Sequence, residues 1–335
     1  GYESPEPGIR DFVISLFKFC YFQNFELPAQ AASGGACMTS DALVFLKRWK
    51  DSRSFERAFE TLSEECAEVL GIEKDLDARD FRGLIELDYF ELIDKKIIYD
   101  LVRVVSERTA SSGDVSLWIR QRRQGHWYQG YQHLYEALDY ASRFIHALDE
   151  TKLEMGSLVE GVQRYSRSWY LLDQLYRKFI FHVRKSGQVS LIGSLADQIE
   201  NLYSNNFLLK LGDRFQAFVD TSANWEAHPV RRQNEFFEHW IRPFLRKENK
   251  VCVIISDGLR YEIGDELLSL IRQEDRYSAE LDAALTMLPS YTQLGMAALL
   301  PNKTLTIADN NTGTVLVDGI SSAGIDNRCK ILEQS

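Results

Sequence analysis

No apolar run in this 335-residue chain approaches the roughly 20 residues needed to cross a bilayer. Gly1 to Arg10 lacks a basic stretch followed by an apolar one, so nothing there reads as a signal peptide. The five cysteines (Cys20, Cys37, Cys66, Cys252, Cys329) are dispersed, with no CxxC spacing. That argues against a zinc ribbon and a disulfide framework and places the protein, with reduced thiols, in the cytoplasm. Positive charge is also scarce: 39 Lys and Arg face 49 Asp and Glu, a formal net charge of −10. Such a field does not favour polyanions, so non-specific nucleic-acid binding is not the default, although a local basic patch is compatible with it. Walker A and dinucleotide fingerprints are absent, and with them any sequence signal for ATP or NAD. There is no tandem repeat and no low-complexity segment.

What is present is helical periodicity over residues 8–245. Phe55, Phe59, Leu62, Cys66 and Leu70 recur at spacings of three and four, and Gly71 follows as a C-cap. Thr39-Ser40-Asp41 offers capping oxygens to a helix over Ala42 to Lys50. Further helices are expected over Gly130 to Asp149 (Leu134, Leu138, Ala141 and Ile145 on one side), Gly156 to Lys185, Ser194 to Tyr203 and Phe207 to Phe218. The period changes after Lys250. Val251-Cys-Val-Ile-Ile255 has the composition of a strand buried on both faces of a parallel sheet. A helix with Ile263, Leu267, Leu268 and Ile271, a second strand over Leu281 to Met287 and a helix over Gln293 to Leu300 complete a βαβ-like order. Short strands over Thr304 to Ile307 and Thr314 to Val317 and a helix over Asp326 to Leu332 follow. The expected fold is a large all-α region, residues 1–247, followed by a partial α/β domain with a parallel sheet, residues 248–335.

Ligands of open α/β sheets collect at the carboxyl ends of strands. Asp257 stands directly after the first expected strand, and Thr292 just past the second, at the start of its helix. A carboxylate there suits a divalent cation, and metal coordination is what makes a threonine hydroxyl an effective nucleophile. The amides of a helix start also help to hold a phosphate. By spacing alone the same residues read more readily as caps, a strand-ending Asp and an N-cap Thr.

The wording of the two segments resembles a known family. Ile254-Ile-Ser-Asp-Gly-Leu-Arg-Tyr-Glu262 is similar to the metal-Asp segment of the alkaline phosphatase superfamily, and Leu288-Pro-Ser-Tyr-Thr-Gln-Leu-Gly-Met-Ala-Ala-Leu-Leu-Pro301 to its nucleophile segment. Thr292 keeps the spacing to Ala297-Ala-Leu-Leu300 that the modified cysteine keeps in related sulfatases. Together, in this order and after a long helical region, they most resemble the PglZ family of bacterial BREX phage-defence systems. The resemblance implies an alkaline-phosphatase-like (PglZ) domain. It implies Asp257 as a metal ligand, Thr292 as the metal-bound nucleophile, and two divalent ions (zinc, manganese or magnesium). It also implies partners among other BREX proteins, including a DNA methyltransferase, with DNA as a candidate and no membrane. Arg260 and Glu262 are open between positioning the helix start, contacting substrate and forming a surface ion pair. The chain departs from the pattern in having no histidine after His239, while Asp309, Asp318 and Asp326 fall in loops expected to be solvated. The remaining ligands are therefore expected beyond Ser335, and the 335 residues alone are expected to hold metal weakly and to be inactive.

Two functions compete on these residues. One is a metal-dependent phosphoesterase with phosphodiester, nuclease-type substrates. The other is a non-catalytic scaffold whose helical region docks defence partners. The six histidines (His126, His133, His146, His182, His228, His239) show no ligand spacing and are expected to be structural. Trp118-Ile-Arg-Gln-Arg-Arg-Gln-Gly-His-Trp-Tyr128 mixes arginines with aromatics in a way that suits nucleic acid. The same segment also reads as a helix end with arginines in solvent and Trp127 as an anchor.

Overall fold

The protein is described here from a computed structural model covering residue 4 and residues 7–25, 40–309 and 312–334. Cys37 and the capping Thr39 lie outside the described residues. In chain order the helices are α1 (Ile9–Phe22), α2 (Ser40–Lys50), α3 (Glu56–Leu70), α4 (Ile72–Asp77), α5 (Glu91–Ser106), α6 (Ser112–Arg122) and α7 (Tyr128–Glu150). Then come α8 (Leu158–Arg164), α9 (Tyr170–Ser186), α10 (Val189–Asn201), α11 (Lys210–Thr221) and, after the strand β1 (Arg231–Arg232), α12 (Arg242–Leu245). The remainder is α13 (Tyr261–Arg272), β2 (Ala284–Leu285), α14 (Thr292–Ala298), β3 (Leu305–Ile307), β4 (Val315–Val317), β5 (Ile320–Ser321) and α15 (Ile325–Glu333). Among the described residues no helix is long and apolar enough to cross a membrane.

Contacts divide the chain into two compact units. The first comprises Gly1–Glu150 and Leu175–Tyr203, the second Thr151–Gln174 and Ser204–Ser335. The first unit is all-α. Of the stripe expected on α3, Phe59 and Cys66 are buried and Leu62 and Leu70 half-buried, joined by Ser63 and Ala67, whereas Phe55 precedes the helix and is exposed. Gly71 closes the helix in the left-handed region at φ 63°, where a side chain would be strained. In α7 the expected Leu134, Leu138, Ala141 and Ile145 are all buried, joined by Tyr135 and Phe144.

Within the Trp118–Tyr128 segment Arg120 and Arg123 are exposed, as expected, but Arg122 is not. Arg122, only 1% exposed, donates to Asp94 Oδ1 through Nε at 3.2 Å and through Nη1 to the carbonyls of Ile85 (3.0 Å) and Leu87 (2.7 Å). Tyr135 donates its hydroxyl to the same Asp94 at 2.5 Å, and burial with Asp94 alongside pushes that phenol well above its ordinary pKa. Arg123 pairs with Glu136, and Trp127 anchors on the Asp88 carbonyl at 3.1 Å. Trp127 is thus the anchor expected, but Arg122 is neither solvated nor available to a phosphate. Five guanidinium donors in a fixed fork suit the crossing of a carboxylate with two backbone carbonyls, which is what burial demands of a charge.

His133 and His182 meet Nδ1 to Nδ1 at 2.9 Å, within hydrogen-bond distance. Burial lowers the pKa of His182 from 6.5, opposed by Glu136 and reinforced by His133 and Lys178. A depressed histidine pKa means that the folded state takes up its proton less readily than the unfolded chain. The stability it confers is present above the unfolded value and is lost as pH falls through the folded one. Between about pH 7.5 and about pH 5.5 the melting temperature is therefore expected to fall more steeply in the wild type than in His182→Gln. Parallel slopes in a pH series of thermal melts would refute this.

In the second unit the expected single helix over Gly156 to Lys185 is interrupted by a wide π turn, Tyr165–Trp169, that sets Trp169 into the interior. A second such turn, Leu202–Leu209, separates α10 from α11. Two small sheets follow. β1 and β2 pair in parallel, Arg231 opposite Ala284 and Arg232 opposite Leu285. β3, β4 and β5 form an antiparallel meander, with Leu305 opposite Val317 and Val317 opposite Ile320. The terminal helix and the hairpin therefore stand where the sequence pattern puts them.

The strand expected over Val251 to Ile255 does not form. This stretch joins no sheet, and its apolar side chains are largely exposed, Ile254 by 89%. The second expected strand shortens to Ala284–Leu285 and pairs with Arg231–Arg232 instead. A parallel strand is stable only with hydrogen-bonded neighbours and both faces covered. Among the described residues no strand pairs with Val251–Ile255, so its composition has no sheet to act on.

Candidate functional site

The Thr292 segment is built from a packed core. Leu294, Ala297 and Leu300 are buried against Val315 and Val317 of β4 and Ile331 of α15, with Met287, Tyr291 and Leu305 around them. The Ala297-Ala-Leu-Leu300 run thus has a physical role in which two small residues let α14 sit close on the meander. Gln233 clasps the segment from outside. Its Oε1 accepts from the Met287 amide at 3.4 Å, and its Nε2 donates to the Gly295 carbonyl at 3.4 Å. Asn302 closes the far end, donating to the carbonyls of Leu300 (2.7 Å), Asn234 (3.2 Å) and Ala298 (3.3 Å).

Thr292 is the first residue of α14 and is exposed. The N-cap is Tyr291, which makes no side-chain cap bond and instead donates its hydroxyl to the Gly313 carbonyl at 3.2 Å. Among the described residues the Thr292 hydroxyl has no hydrogen-bond partner, so it is not the helix cap. At seven residues α14 is too short for its dipole to do much at Thr292.

Asp257 lies in the exposed turn between Val251–Ile255 and α13, beside Gly258 at φ 70°. It does not cap α13 either: Arg260 is the N-cap, without a side-chain cap bond. The Asp257 carboxylate has no hydrogen-bond or ion-pair partner among the described residues. Asp257 and Thr292 do not follow adjacent parallel strands as expected, because the strand before Asp257 is unformed and β2 pairs with β1.

Arg260 and Glu262 form an ion pair at 3.2 Å. It is one-sided: the Arg260 side chain is half exposed, whereas Glu262 is 0% exposed, so the surface pair expected from sequence is partly a buried one. Gln174 donates to the Glu262 carbonyl at 3.3 Å, fixing the first turn of α13. Asp309, Asp318 and Asp326 are exposed. Asp318, in the left-handed region at φ 50°, accepts from the Thr304 amide (2.7 Å), the Lys303 amide (3.0 Å) and the Thr304 hydroxyl (3.0 Å). Burial would raise its pKa, but those donors hold it below the ordinary value, and its lone pairs are committed to the turn.

A cleft of about 450 Å³ lies elsewhere in this unit, its wall including Arg167, Arg231, His239, Trp240, Tyr261 and Asp282. Asp282 accepts from the Trp240 indole at 3.3 Å, and Arg231 pairs with Glu235 at 3.2 Å. Neither Asp257 nor Thr292 lines it.

A capping role is thus excluded for both candidate donors within the segment whose wording resembles the PglZ family. The family model described as the BREX system PglZ alkaline phosphatase-like domain matches residues 236–335. Residues 236–335 are a PglZ-type segment. The chain as a whole is 31% identical over 360 residues to the alkaline phosphatase-like protein BrxZ of Escherichia coli O9:H4 (strain HS), spanning 99% of this chain and 41% of that protein. It is 27% identical over 302 residues to the alkaline phosphatase-like protein PglZ of Bacillus cereus (strain H3081.97), covering 88% of this chain and 35% of that one. The chain therefore spans less than half the length of the curated relatives it matches. No solved structure matches. The PglZ match begins at residue 236, ahead of α12, and takes in Asp257, Arg260, Glu262 and Thr292.

Proposed function

We propose that the whole protein is a metal-dependent phosphoesterase of BREX phage defence, with Thr292 as nucleophile and Asp257 as a metal ligand. The observation that carries this reading is that both oxygens are exposed and uncommitted on a PglZ-type segment. A carboxylate and a hydroxyl are hard donors that fit zinc, manganese or magnesium, and two such ions would supply Lewis acidity and lower the proton affinity of the hydroxyl. The chain's own part is to present the nucleophile. Thr292 Oγ1 bonds to phosphorus as its proton passes to solvent, the bond from phosphorus to the leaving oxygen breaks and that oxygen takes up a proton, and water then cleaves the threonyl phosphodiester and restores the hydroxyl. Arg260 and Glu262 position the first turn of α13 behind Asp257, in keeping with the buried Glu262 and its Gln174 contact.

Further Asp and His ligands come from chain outside these 335 residues, since no histidine follows His239. The substrate class is the phosphodiester, with DNA the natural polymer in a defence system. Partners are other BREX proteins, among them a DNA methyltransferase, in the cytoplasm.

The test is to quench the whole protein in acid during turnover of a phosphate ester and map the adduct by mass spectrometry. A phosphoryl-type adduct on the peptide holding Thr292 is expected. An adduct on Ser290, or none with turnover in progress, would overturn the assignment.

A further inference from the structure

A second group of possible metal ligands lies in the helical unit, far from the PglZ-type segment in sequence. Glu56 and Glu60, one turn apart on α3, converge with His126 of the α6–α7 connection so that one ligand atom from each lies within 4.8 Å of the others. The His126 Nε2 to Glu60 Oε1 separation is 3.3 Å, long for a hydrogen bond.

The imidazole is held firmly. Its side chain is only 8% exposed, with the ring edge-on to Phe59 (5.1 Å between centroids) and to Trp127 (4.8 Å). Its backbone amide donates to Asp88 Oδ2 at 3.0 Å, and Asp88 is itself paired with Lys50. A rigid, nearly buried ring thus aims Nε2 at two carboxylates. Glu56 has no cationic partner among the described residues, and Glu60 has only His126. Two carboxylates around one imidazole repel unless positive charge sits among them. Ligands on a divalent ion at about 2.1 Å lie roughly 3.4 to 4.2 Å apart, within reach of these atoms after small rotations about flexible glutamate torsions.

We propose that Glu56, Glu60 and His126 form a binding site for a divalent transition metal, of which zinc is the type. One imidazole and two carboxylates form a borderline donor set that favours zinc, cobalt or nickel over calcium, and the three residues leave coordination positions open to water. A bound ion would fasten α3 to the α6–α7 connection at its Trp127 anchor.

The test is calorimetric titration of the 335-residue chain with zinc, repeated on Glu56→Gln, Glu60→Gln and His126→Gln, with the exposed Glu64→Gln as control. One saturable site is expected, weakened at least tenfold by Glu60→Gln and by His126→Gln and unaltered by Glu64→Gln. The cobalt form should show imidazole nitrogen in its coordination sphere by X-ray absorption, a signature lost in His126→Gln. His126 packs in an aromatic cluster, but both glutamates are on the surface of α3, so their variants keep the test valid if His126→Gln is unstable. No saturable zinc binding, or binding indifferent to both glutamate variants, would overturn the proposal.

Discussion

With Thr292 as the proposed nucleophile, Thr292→Ala is expected to lower phosphodiester turnover of the whole protein by about three orders of magnitude or more, the scale seen when a covalent nucleophile is removed. No neighbouring hydroxyl takes its place. Ser290 is two residues earlier and breaks the spacing to Ala297-Ala-Leu-Leu300, the buried stripe that fixes α14 on the meander. Folding should be unaffected, because the Thr292 side chain is exposed and makes no cap bond. With Asp257 as the proposed metal ligand, Asp257→Ala should lose metal affinity at least tenfold along with activity, since a charged oxygen donor would be removed from a hard-cation site. Steady-state kinetics with metal analysis of each purified variant checks both. A fully active Thr292→Ala enzyme would replace the nucleophile with a directly activated water.

The second large effect is on stability. Arg122→Met should destabilise the helical unit by about 3 to 5 kcal/mol, because it leaves the Asp94 carboxylate buried beside Tyr135 and strips the Ile85 and Leu87 carbonyls of their donor. On a unit of this size that corresponds to a fall of about 10 °C in its melting temperature. Arg122→Lys should rescue little, because one ammonium cannot serve a carboxylate and two carbonyls at once. Removing the orphaned charge as well, with Asp94→Leu in the Arg122→Met background, should restore part of the loss. Thermal melts followed by circular dichroism decide the matter. A shift within a degree or two for Arg122→Met would show the pair to be energetically neutral.

How far the fold could be read from residues depended on whether the partner of each pattern was near in sequence. The helices were legible because their buried stripes are internal to each element, as in α7, and the hairpin over Leu305 to Val317 because its strands are neighbours. The Val251–Ile255 run failed for the opposite reason: its composition specifies burial in a sheet, but not which strands supply that sheet. The composition of the second unit was also out of reach, since it takes in α8 and α11 from ahead of the change of period at Val251. Long-range packing decides that, and no local period reports it.

The candidate site was legible as wording and less so as geometry. Asp257 and Thr292 stand out because their segments resemble a family, while the structure adds that neither side chain is spent on capping. Glu262 reads as surface charge, and only the packing of α13 shows it buried. The Glu60–His126 approach spans 66 residues, so its only sequence signal was a Glu pair four apart on a helix face, a common feature of solvated helices. Arg122 reads as a solvated basic residue, and its burial depends on Asp94 and on carbonyls more than 30 residues away.

The most direct test of the central claim is hydrolysis of a simple phosphodiester by the purified whole protein, before and after removal of its metal by chelation, with zinc, manganese or magnesium then added back. Turnover that disappears on chelation, returns with one of these ions and is absent from Thr292→Ala is the predicted result. The 335-residue chain in the same assay should be inactive at every metal concentration. Turnover that survives chelation, or steady metal-dependent turnover by the 335 residues alone, would contradict a phosphoesterase site built from Asp257, Thr292 and further ligands elsewhere in the protein.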